Sequence, residues 1–595
     1  MMNKWMLKRA AFDPKKLVKQ KAELPLLLAQ LLAVRGYDDV QDISRFLQID
    51  QPSLASPFLF KDMDKALSII ADAVKNKRKI IIFGDYDADG IMSTVILSKT
   101  LSKLGADPDF YIPQRDSEGY GLNNDALKSL HESGAEIILA CDLGISNLAE
   151  VDFANSLGLK VVIIDHHSIT LAEDDNSELI PHAAAVVDPK QADCAYPFKL
   201  YCAAGLCLRF SEALFGYLNL EWAELEEELL SFATIATICD LVDLVEDNRC
   251  LVKKGLPKLA ATKNYGLRAL ISLTGLEGKE ITVYHVGFII GPCINASGRL
   301  KEGSLAVELF LTKDPQKAYD LASYLVELNT SRKKITAEGT SLAIKKVEKT
   351  QLHKQKVIVL HCPEVNESVA GIVAGRVKEY FYRPTIIITG TEDILRGSCR
   401  SIEGYDIFQA LSACRELFTA FGGHPMAAGL SIHKSNLPAL SECLNRDCPL
   451  STEEMIPVVR IDKQFPLHLP TKGTAELLEI MEPYGKGNDK PLFVDKEVLV
   501  EKISFMGKTG QVMKFFCRTR DRYKAVELIS FNHKDQLEKL IVQEFDDALW
   551  QNVLQKNTFG RYLDFIYTIG INEFNGQSYL QLQVIDFRLS QNQGK

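Results

Sequence analysis

One short stretch of this chain constrains its fold more than any other. An apolar run, 80–83, is followed by three acids within five residues, Asp85, Asp87 and Asp89, and then by an amphipathic segment from Ile91 to about 104. This pattern predicts a buried strand, a tight turn and a helix. The acids therefore follow the carboxyl end of a strand, where open α/β sheets bind ligands. Because three neighbouring carboxylates repel one another, we expect divalent cations to neutralise them.

Two other interpretations of these acids stay open at this point. Their spacing imitates the start of a calcium-binding loop, but such a loop ends in a glutamate where this chain has Ile96. A solvated acidic turn without any ligand also matches, since short motifs occur by chance.

The length and composition are those of a multidomain globular protein. The 595 residues suggest about three or four domains, and 46% of them are hydrophobic. The net charge of −9 argues against unselective binding to polyanions, but not against a local basic groove. The 13 cysteines include no Cys-x-x-Cys pair, so we expect reduced thiols and a cytoplasmic location. We find no apolar stretch typical of a signal peptide or a membrane span.

The stretch from about 109 to 188 alternates between short apolar strands and helices. This alternation predicts a parallel sheet covered by helices. One of its strands ends in Asp142 and the next ends in the Asp-His-His sequence of 165–167. Because parallel strands point the same way, their polar ends should converge on one edge of the sheet. The residues expected there are Asp87, Asp89, Asp142, His166 and His167.

The next section, from about 199 to 240, is predicted to be helical and ends in Asp240. A buried carboxylate is costly without a partner, so Asp240 either joins the acids of the sheet or makes local hydrogen bonds at its helix end. The segment from Asp314 to 349 predicts one long helix, because Asp314 and Pro315 form a typical cap and first turn. Such a helix can act as a rigid connector between domains.

A second α/β unit is predicted from about 356 to 450. It contains two glycine-rich stretches, 397–401 and 421–425, that also carry serine, arginine and histidine. Glycines let backbone amides approach a phosphate, and these side chains add donors. Two ordinary turns without a ligand would give the same pattern.

The last section, from about 456, changes to short strands. They are predicted at 498–505, 511–520, 524–531, 562–571 and 579–587, with one helix at about 535–551 and turns at 507–510 and at Asn575-Gly576. This order predicts a small five-stranded barrel of the OB type. Aromatic and basic residues are mixed there, as in single-strand binding platforms, although about half of them must face the barrel core. They are Lys514, Phe515, Phe516, Arg518, Arg520 and Arg522.

The donor set predicts a reaction class. Carboxylates suit Mg²⁺, and imidazole shifts the preference toward Mn²⁺. A cluster of this size can hold two ions about 3.5–4 Å apart, which is the arrangement that promotes in-line attack of water on phosphorus. Phosphate-binding P-loop, serine-triad and zinc-thiolate signatures are absent from the sequence. A phosphatase of the haloacid-dehalogenase type, with Asp85 or Asp87 as nucleophile, leaves Asp142 and the histidine pair unexplained.

The acidic motifs occur in the order found in the DHH phosphoesterase superfamily. They are Asp-Tyr-Asp-Ala-Asp-Gly at 85–90, Asp-Leu-Gly-Ile-Ser at 142–146, Asp-His-His at 165–167, and Asp240. The chain resembles the RecJ family of single-stranded-DNA exonucleases in particular, through further motifs at 115–121, 295–300, 423–429 and 482–488. This resemblance spans nearly the whole chain.

The resemblance implies a 5′→3′ exonuclease on single-stranded DNA that acts in recombination and repair. It implies two Mn²⁺ or Mg²⁺ ions held by Asp87, Asp89, Asp142, His166 and Asp240, with Asp142 between them. His167 would contact the scissile phosphate, Asp165 would orient the histidines, and Asp85 would bind metal or support the other ligands. The residues implied to hold the DNA backbone or a 5′-phosphate are Arg115, Asn295, Arg299, Ser398, Arg400 and His424. Family members work with helicases and single-strand-binding protein, although we find no docking motif.

We therefore expect an α/β protein with five sections. They are a helical lead-in at 1–55, a DHH catalytic domain at 56–255, a helical connector at 256–350, a DHHA1-type domain at 351–455 and an OB-type barrel at 456–595. Three residues depart from the family pattern: Leu143, Cys293 and Cys399. Cys293 stands where relatives often have arginine, which weakens the expectation for Arg299.

Two other functions stay open. One is a DHH phosphodiesterase that cleaves very short oligonucleotides or cyclic dinucleotides, which would not need the C-terminal barrel. The other is a non-catalytic replication scaffold, which would not need the complete set of acids and histidines.

Overall fold

The structure is a computed structural model. It describes residues 3–20, 24–47, 54–114, 118–172, 174–300, 303–507, 510–519, 525–574 and 576–591. The chain divides into two compact units. The smaller comprises Met1–Pro52, Ile456–Tyr484 and Asn488–Lys595, and the larger comprises Ser53–Met455 and Gly485–Gly487. Within the described residues, no helix combines the length and apolar character needed to cross a bilayer.

The first sheet of the larger unit contains five parallel strands, as predicted. Their spatial order is Asp109–Tyr111, Ile80–Gly84, Ile137–Cys141, Lys160–Ile164 and Ala185–Val187. Every residue of the second and third strands in this order is buried. Burial on both faces explains why these strands are continuous apolar runs instead of alternating ones. Their common direction brings their carboxyl ends to one edge, which we call the acidic edge.

Helices cover this sheet and continue beyond it. They are Met63–Lys75, Ala88–Lys103, Asn124–Glu132, Leu148–Ser156, Ala203–Tyr217, Ala223–Cys239, Glu246–Ala260, Tyr265–Leu273, Val283–His285, Gly291–Leu300 and Ser304–Leu311, with a 3₁₀ turn at Pro57–Leu59 and a π-helical turn at Val286–Ile290. The helix after the first acids begins at Ala88, three residues before the predicted Ile91. It begins there because the Asp87 side chain caps it, accepting the N–H groups of Asp89 and Gly90.

The predicted long helix is confirmed as Pro315–Lys349. The Asp314 side chain accepts the N–H of Gln316 at 2.8 Å, and Pro315 occupies the first turn. One face of the helix packs against the helices 265–273 and 291–300, and its last part packs against 367–381. The helix therefore connects the two α/β layers of the larger unit.

The second sheet of the larger unit also has five strands, but its strands are mixed in direction. Their spatial order is Phe418–His424, Ala427–His433, Ile394–Arg400, Thr385–Thr389 and Ile358–His361, and only the last two are parallel. Accompanying helices are Glu367–Phe381, Ile407–Ser412 and Leu437–Arg446, with 3₁₀ turns at Leu352–Lys354, Arg415–Leu417 and Lys434–Asn436.

The prediction of two phosphate-binding turns in this region is wrong. Residues 397–400 and 421–424 lie in paired strands. Gly397 is a strand glycine because a Cβ there would lie 2.8 Å from the Leu430 side chain. Glycine is needed at position 397 because the neighbouring strand leaves no space for a side chain, and not because the chain turns there. The strand Ile394–Arg400 is hydrogen-bonded on both sides, so its amides are not available to a phosphate.

The expectation of uniformly reduced thiols is also wrong for one pair. Cys414 and Cys443 form a disulfide across 29 residues of sequence. The other 11 cysteines are free. The pairing joins two positions whose spacing carries no recognisable motif, so the sequence offered no signal for it.

The smaller unit contains the predicted closed barrel. Its strands are Phe493–Met506, Val512–Arg518, Ala525–Ser530, Gln577–Leu589 and Thr558–Phe574 in spatial order, and the last pairs with the first. A short strand, Lys463–Gln464, and the helix Lys472–Glu479 precede them. The single predicted helix is two, Lys534–Glu544 and Asp547–Lys556, because Asp546 caps a second one by accepting the N–H of Leu549.

The predicted aromatic and basic platform is only partly accessible. Phe515 is buried in the barrel core, as strand alternation requires for some of these residues. Lys514 and Arg518 form ion pairs with Glu527 and Glu501. Other predicted positions lie outside the described residues: Lys508, Thr509, Arg520, Arg522, Lys524 and Asn575.

The N-terminal lead-in is not entirely helical. A strand, Lys4–Leu7, pairs in parallel with Val458–Ile461, and the helices are Lys15–Gln20, Leu26–Val34 and Val40–Leu47. Apolar residues of these helices share one core with the barrel, among them Leu28 and Leu32. The lead-in is therefore part of the smaller unit.

Candidate active site

The loop that carries the first acids is held from two sides. The Asp87 side chain caps the following helix, and the Asn295 side-chain oxygen accepts the N–H of Ala88 at 2.7 Å. A Cβ on Gly90 would lie only 2.5 Å from the backbone of Asp85, so the turn admits no larger residue. These contacts fix where the carboxylates point. Asn295, which the resemblance assigns to DNA, thus directs its oxygen to this loop.

Asp89 is fixed by a helix N-terminus. Its two carboxylate oxygens accept the N–H groups of Ala203 and Ala204 at 2.7 and 2.8 Å, in the first turn of the helix Ala203–Tyr217. Burial raises the pKa of Asp89 to about 7, and the charge of Asp87 adds to this effect despite the two hydrogen bonds. The side chain is therefore rigidly placed in a site that disfavours its charge.

Four of the five predicted metal ligands, all except Asp87, meet around one imidazole nitrogen at the acidic edge. His166 Nε2 lies 3.2 Å from Asp142 Oδ1, 3.6 Å from Asp89 Oδ2 and 3.8 Å from Asp240 Oδ2. Asp240 is the residue that follows the helix Ala223–Cys239, and its backbone N–H bonds to Ala236. The carboxylate thus joins the cluster from a helix end instead of capping that helix.

Asp142 belongs to two neighbouring donor groups. One combines Asp142 with Asp85 and Asp87, and the other combines it with His166 and His167; within each group the ligand atoms lie within 4.8 Å of one another. Asp142 adopts the left-handed backbone conformation with φ 64°, which is unfavourable for a residue other than glycine. The Tyr120 hydroxyl donates to its carbonyl oxygen at 3.0 Å. This position suits a ligand shared by two ions.

The electrostatics of the cluster favour cations. Burial raises the pKa of Asp142 well above its usual range, and the charges of the neighbouring acids add to the increase. Burial likewise raises the pKa of Asp240 to about 7, assisted by Asp89. Burial lowers the pKa of His166 to about 4, so its imidazole is neutral and can donate a lone pair. Among the described residues, Asp142 Oδ1 and His166 Nε2 are buried without a hydrogen-bond partner. Mutually repelling acids and unpartnered donor atoms are the features that divalent metal ions satisfy.

The pKa of His167 is shifted in the opposite direction from that of His166. Asp165 Oδ1 lies 2.7 Å from His167 Nδ1 and accepts the N–H of His166 at 2.7 Å, while Oδ2 accepts the N–H of Ile145 at 3.0 Å. Burial opposes a charge on His167, but the hydrogen bond and charge of Asp165 outweigh it and raise the pKa of His167 to about 9. The acidic edge therefore carries one imidazolium, which can bind an anion.

A cavity of about 530 Å³ separates this region from the second sheet. It is lined by Tyr120 on one side and by Ser368, Ser398 and Phe421 on the other. His424 stands at the end of the edge strand of the second sheet, and burial and the nearby charges of His167 and Lys190 lower its pKa. The charged residues of the cavity lining, Glu367 and Arg396, form an ion pair with each other, and the serine hydroxyls of the lining can donate to a phosphate-containing substrate.

The remaining predicted DNA-binding residues lie around the second sheet. Arg400 donates to the carbonyl of Cys399 at 2.7 Å, and its guanidinium lies against Gly371. Arg299 Nη1 lies 3.5 Å from the carbonyl oxygen of Ser368. Arg115 lies outside the described residues. Ser398, Arg400 and His424 are thus carried by one sheet, and Arg299 lies beside it.

The three departures from the family pattern are buried. Leu143 packs in the apolar core of the first sheet, and Cys399 is fully buried in the second. Cys293 Sγ accepts a hydrogen bond from Asn329 at 3.2 Å, and Asn329 in turn accepts from Arg332. None of the three removes a predicted metal ligand.

Sequence reasoning assigned no role to three features of this site. Tyr120 lies in a motif that was recognised, but its contacts with Asp142 and His167 required the fold. The amides of Ala203 and Ala204 act through the backbone, which leaves no side-chain signal. Lys190 follows the end of an edge strand, and that position was the one available clue.

Comparisons with known proteins agree with this architecture. Family models match the DHH family N-terminal domain at 79–237, the DHHA1 domain at 354–448 and the RecJ OB domain at 461–586. The single-stranded-DNA-specific exonuclease RecJ of Bacillus subtilis (strain 168) is 34% identical over 592 residues, covering 99% of this chain and 71% of the relative. The RecJ of Escherichia coli (strain K12) is 31% identical over 589 residues, covering 95% of this chain and 96% of the relative.

A solved structure also matches nearly the whole chain. It is the crystal structure of RecJ in complex with Mn²⁺ from Thermus thermophilus, with a TM-score of 0.78 and 26% identity, covering 98% of this chain and 79% of that one. Since sequence relatives above 30% identity align over most of their length and the three domain models match in order, the chain belongs to the RecJ family of the DHH phosphoesterases.

Proposed function

We propose that this chain is a metal-dependent exonuclease that removes nucleotides from the 5′ end of single-stranded DNA, in recombination and repair. The observation that carries the proposal is the cluster of three carboxylates within 3.8 Å of His166 Nε2. It occurs in a chain that aligns over most of its length with relatives named single-stranded-DNA-specific exonucleases. Acids and imidazole in this arrangement suit phosphodiester hydrolysis.

The proposed cofactors are two Mn²⁺ or Mg²⁺ ions. A relative from Thermus thermophilus has been solved with each of these metals. In this chain Asp87, Asp89, Asp142, His166 and Asp240 would hold the ions, with Asp85 in support. When bound, such ions supply a hydroxide from water and offset negative charge on the phosphoryl oxygens.

The protein's own groups have separate proposed tasks around these ions. Asp142 and Asp89 are held rigidly by Tyr120 and by two helix amides, so they keep the ligand geometry. The pKa of His167 is raised to about 9, so its imidazole is positively charged, and we assign it a hydrogen bond to a nonbridging oxygen of the scissile phosphate. Asp165 keeps that imidazolium charged and oriented.

The 5′ polarity is assigned to the cavity beside the second sheet. Its volume of about 530 Å³ lies in the range of small-molecule sites and suits a terminal nucleotide. Ser398 lines this cavity. Arg400 and His424 lie on the same sheet and Arg299 lies beside it, so guanidinium and imidazole groups can also bind a terminal phosphate there. Arg115 and Asn295 complete the proposed substrate-binding set. Binding of a terminal phosphate at this position would admit the strand with its 5′ end first.

The proposal also assigns domains, partners and location. We assign the lead-in to 1–55, catalysis to 56–255, the connector to 256–350, substrate binding to 351–455 and further contacts with the strand to the barrel at 456–595. The proposed location is the cytoplasm, where the enzyme would work with a helicase and single-strand-binding protein.

The test is the direction and length dependence of hydrolysis. Single-stranded 30-mers, blocked at either the 5′ or the 3′ end and labelled at the opposite end, are incubated with the full chain and Mn²⁺. We expect mononucleotide-scale products from 3′-blocked strands and none from 5′-blocked strands. A series from two to thirty nucleotides should show rates that increase with length. Preference for two- or three-nucleotide substrates would contradict the proposal and favour a short-oligonucleotide phosphodiesterase.

A further inference from the structure

The 240–248 segment runs from the end of the helix Ala223–Cys239 into the first turn of the helix Glu246–Ala260. It begins with a proposed metal ligand, Asp240. Leu241 and Glu246 adopt left-handed backbone conformations with φ 57° and 40°, and residues 241–245 form no regular helix or strand. A segment with this backbone depends on outside contacts to keep one conformation. The position of the Asp240 carboxylate therefore depends on what holds the segment.

The far end of the same segment supports a second proposed ligand. Asn248 Nδ2 donates to the carbonyl oxygen of Leu200 at 2.5 Å and to that of Asp243 at 3.0 Å. The hydroxyl of Tyr201 donates to Asp247 Oδ2 at 2.6 Å. Both contacts fix the chain at 200–201, immediately before Ala203 and Ala204. Because the amides of these alanines hold the Asp89 carboxylate, the segment also supports Asp89.

The middle of the segment is held by a distant part of the chain, the 485–487 loop. These three residues belong to the larger unit, although the residues before and after them belong to the smaller one. Leu244 donates its N–H to the carbonyl oxygen of Lys486 at 2.7 Å. Lys486 Nζ lies 3.3 Å from Asp243 Oδ1. The loop thus binds two consecutive residues of the segment, once through the backbone and once through an ion pair.

Two glycines make this close approach feasible. Gly487 has φ 76°, and a Cβ there would lie 2.9 Å from the Cβ of Asp243. A Cβ on Gly485 would lie 2.6 Å from a methyl carbon of Leu244, which is buried. Any larger residue at either position would push against the segment. The glycines at 485 and 487, which lie within the 482–488 motif, are therefore required by packing against 243–244.

We infer that the 485–487 loop positions Asp240 and Asp89 for metal binding, by holding the 240–248 segment in place. Gly487 and Lys486 are positioning residues in this inference, since neither contacts a proposed ligand directly. The inference rests on the proposed function, because it takes Asp240 and Asp89 as metal ligands. Outer contacts that orient metal ligands commonly change metal affinity about 10- to 100-fold when they are lost.

The test compares Gly487→Ala with a matched control, Gly560→Ala. Gly560 has a similar φ of 65°, but nothing lies within 4 Å of its added Cβ, so the control reproduces the backbone strain without the clash. Mn²⁺ affinity of the full chain is measured by calorimetry without DNA, and single-strand affinity is measured by fluorescence anisotropy in a metal chelator. We expect Gly487→Ala to bind Mn²⁺ about 10-fold more weakly, with unchanged single-strand affinity, and Gly560→Ala to match the wild type. Wild-type Mn²⁺ affinity in Gly487→Ala would overturn the inference.

A second pair of variants keeps the inference testable if Gly487→Ala does not fold. Lys486→Ala removes the ion pair but keeps the main-chain hydrogen bond, and Lys486→Arg keeps both. We expect about two- to fivefold weaker Mn²⁺ binding in Lys486→Ala, because an exposed ion pair is a weak contact, and recovery in Lys486→Arg. Loss of single-strand affinity at unchanged Mn²⁺ affinity would overturn the inference and make Lys486 a DNA contact. Since Mn²⁺ binding is measured without turnover, absence of nuclease activity would contradict the proposed function and leave this test valid.

Discussion

The two sheets of the larger unit have the same number of strands but opposite chemistry. The first is fully parallel and gathers buried acids at its carboxyl edge, where burial raises the pKa of Asp89 and Asp142. The second is mixed and carries Arg396, Arg400 and His424 on partly accessible strands. The first sheet is built to attract cations and the second to attract anions. Under the proposed function, metal binding and recognition of the DNA end are divided between the two sheets, and substitutions should separate them.

The sharpest test of this division is Asp142→Ala. Asp142 belongs to both neighbouring donor groups, so its loss should disrupt the binding of both ions. We expect Mn²⁺-dependent hydrolysis of single-stranded DNA to decrease by on the order of 10³-fold or more, since ligands matter more than the outer contacts that orient them. Single-strand affinity in a chelator should change little. Asp125→Asn, an exposed acid in a helix first turn, is the control; turnover in Asp142→Ala equal to that of the control would refute the metal assignment.

The next largest effect is expected from Asp165→Ala. Asp165 keeps His167 charged and oriented through a 2.7 Å contact, but it belongs to none of the donor groups. Removing it should lower kcat about 10²-fold, the range of a lost orienting partner, while Mn²⁺ affinity decreases much less. Single-turnover kinetics measures the rate of hydrolysis, and calorimetry measures the Mn²⁺ affinity separately. If both quantities decreased in parallel, Asp165 would act on the metal ligands and not on the phosphate contact.

Arg400→Ala tests the second sheet directly. If Arg400 binds the terminal phosphate, the preference for 5′-phosphorylated over 5′-hydroxyl strands should decrease about 10-fold, which corresponds to one lost charge-assisted hydrogen bond. Mn²⁺ affinity should be that of the wild type. Arg446→Ala is the control, because Arg446 is exposed, forms an ion pair with Asp447 at 2.8 Å and does not line the cavity. An equal loss of preference in both variants would assign the effect to the general charge of the protein.

The same contrast explains what the sequence could and could not predict. In the first sheet, the apolar runs of the sequence are enough to predict the strands. Because these strands are parallel, their carboxyl ends bring Asp142 and His166 to one edge together with Asp89. In the second sheet, Gly397 and Gly422 were mistaken for turn residues. At Gly397 the glycine is required by the neighbouring Leu430, a contact that only the folded sheet creates. Local pattern does not distinguish a glycine needed for a turn from one needed for packing.

Contacts between distant parts of the chain were missed for a related reason. The strand Lys4–Leu7 pairs with residues more than 450 positions away, and four residues carry too little alternation to predict it. The amides that hold Asp89 and the disulfide between Cys414 and Cys443 likewise depend on tertiary proximity. The metal-binding side chains of the active site could be predicted because their residue types can be read directly from the sequence. The groups that position these side chains could not, since several of those groups are backbone atoms.

The smallest expected effect concerns an acid of the first sheet that lies outside the donor groups. Asp188 follows the strand Ala185–Val187, is fully buried, and accepts the N–H of Lys190 through Oδ1. Burial raises the pKa of Asp188 to about 7 from an ordinary value near 4. Between these values the folded state binds more protons than the unfolded state, so the contribution of Asp188 to stability decreases as pH rises from about 4 to about 7.

The variant Asp188→Asn should lack this loss and be about 1–3 kcal/mol more stable than the wild type at pH 8, with no difference at pH 4. Thermal unfolding of both proteins at the two pH values measures this, with and without Mn²⁺. Because Asp188 is not in a donor group, Mn²⁺ should leave the difference unchanged, whereas a difference that Mn²⁺ abolishes would add Asp188 to the metal site and extend the acidic edge by one strand.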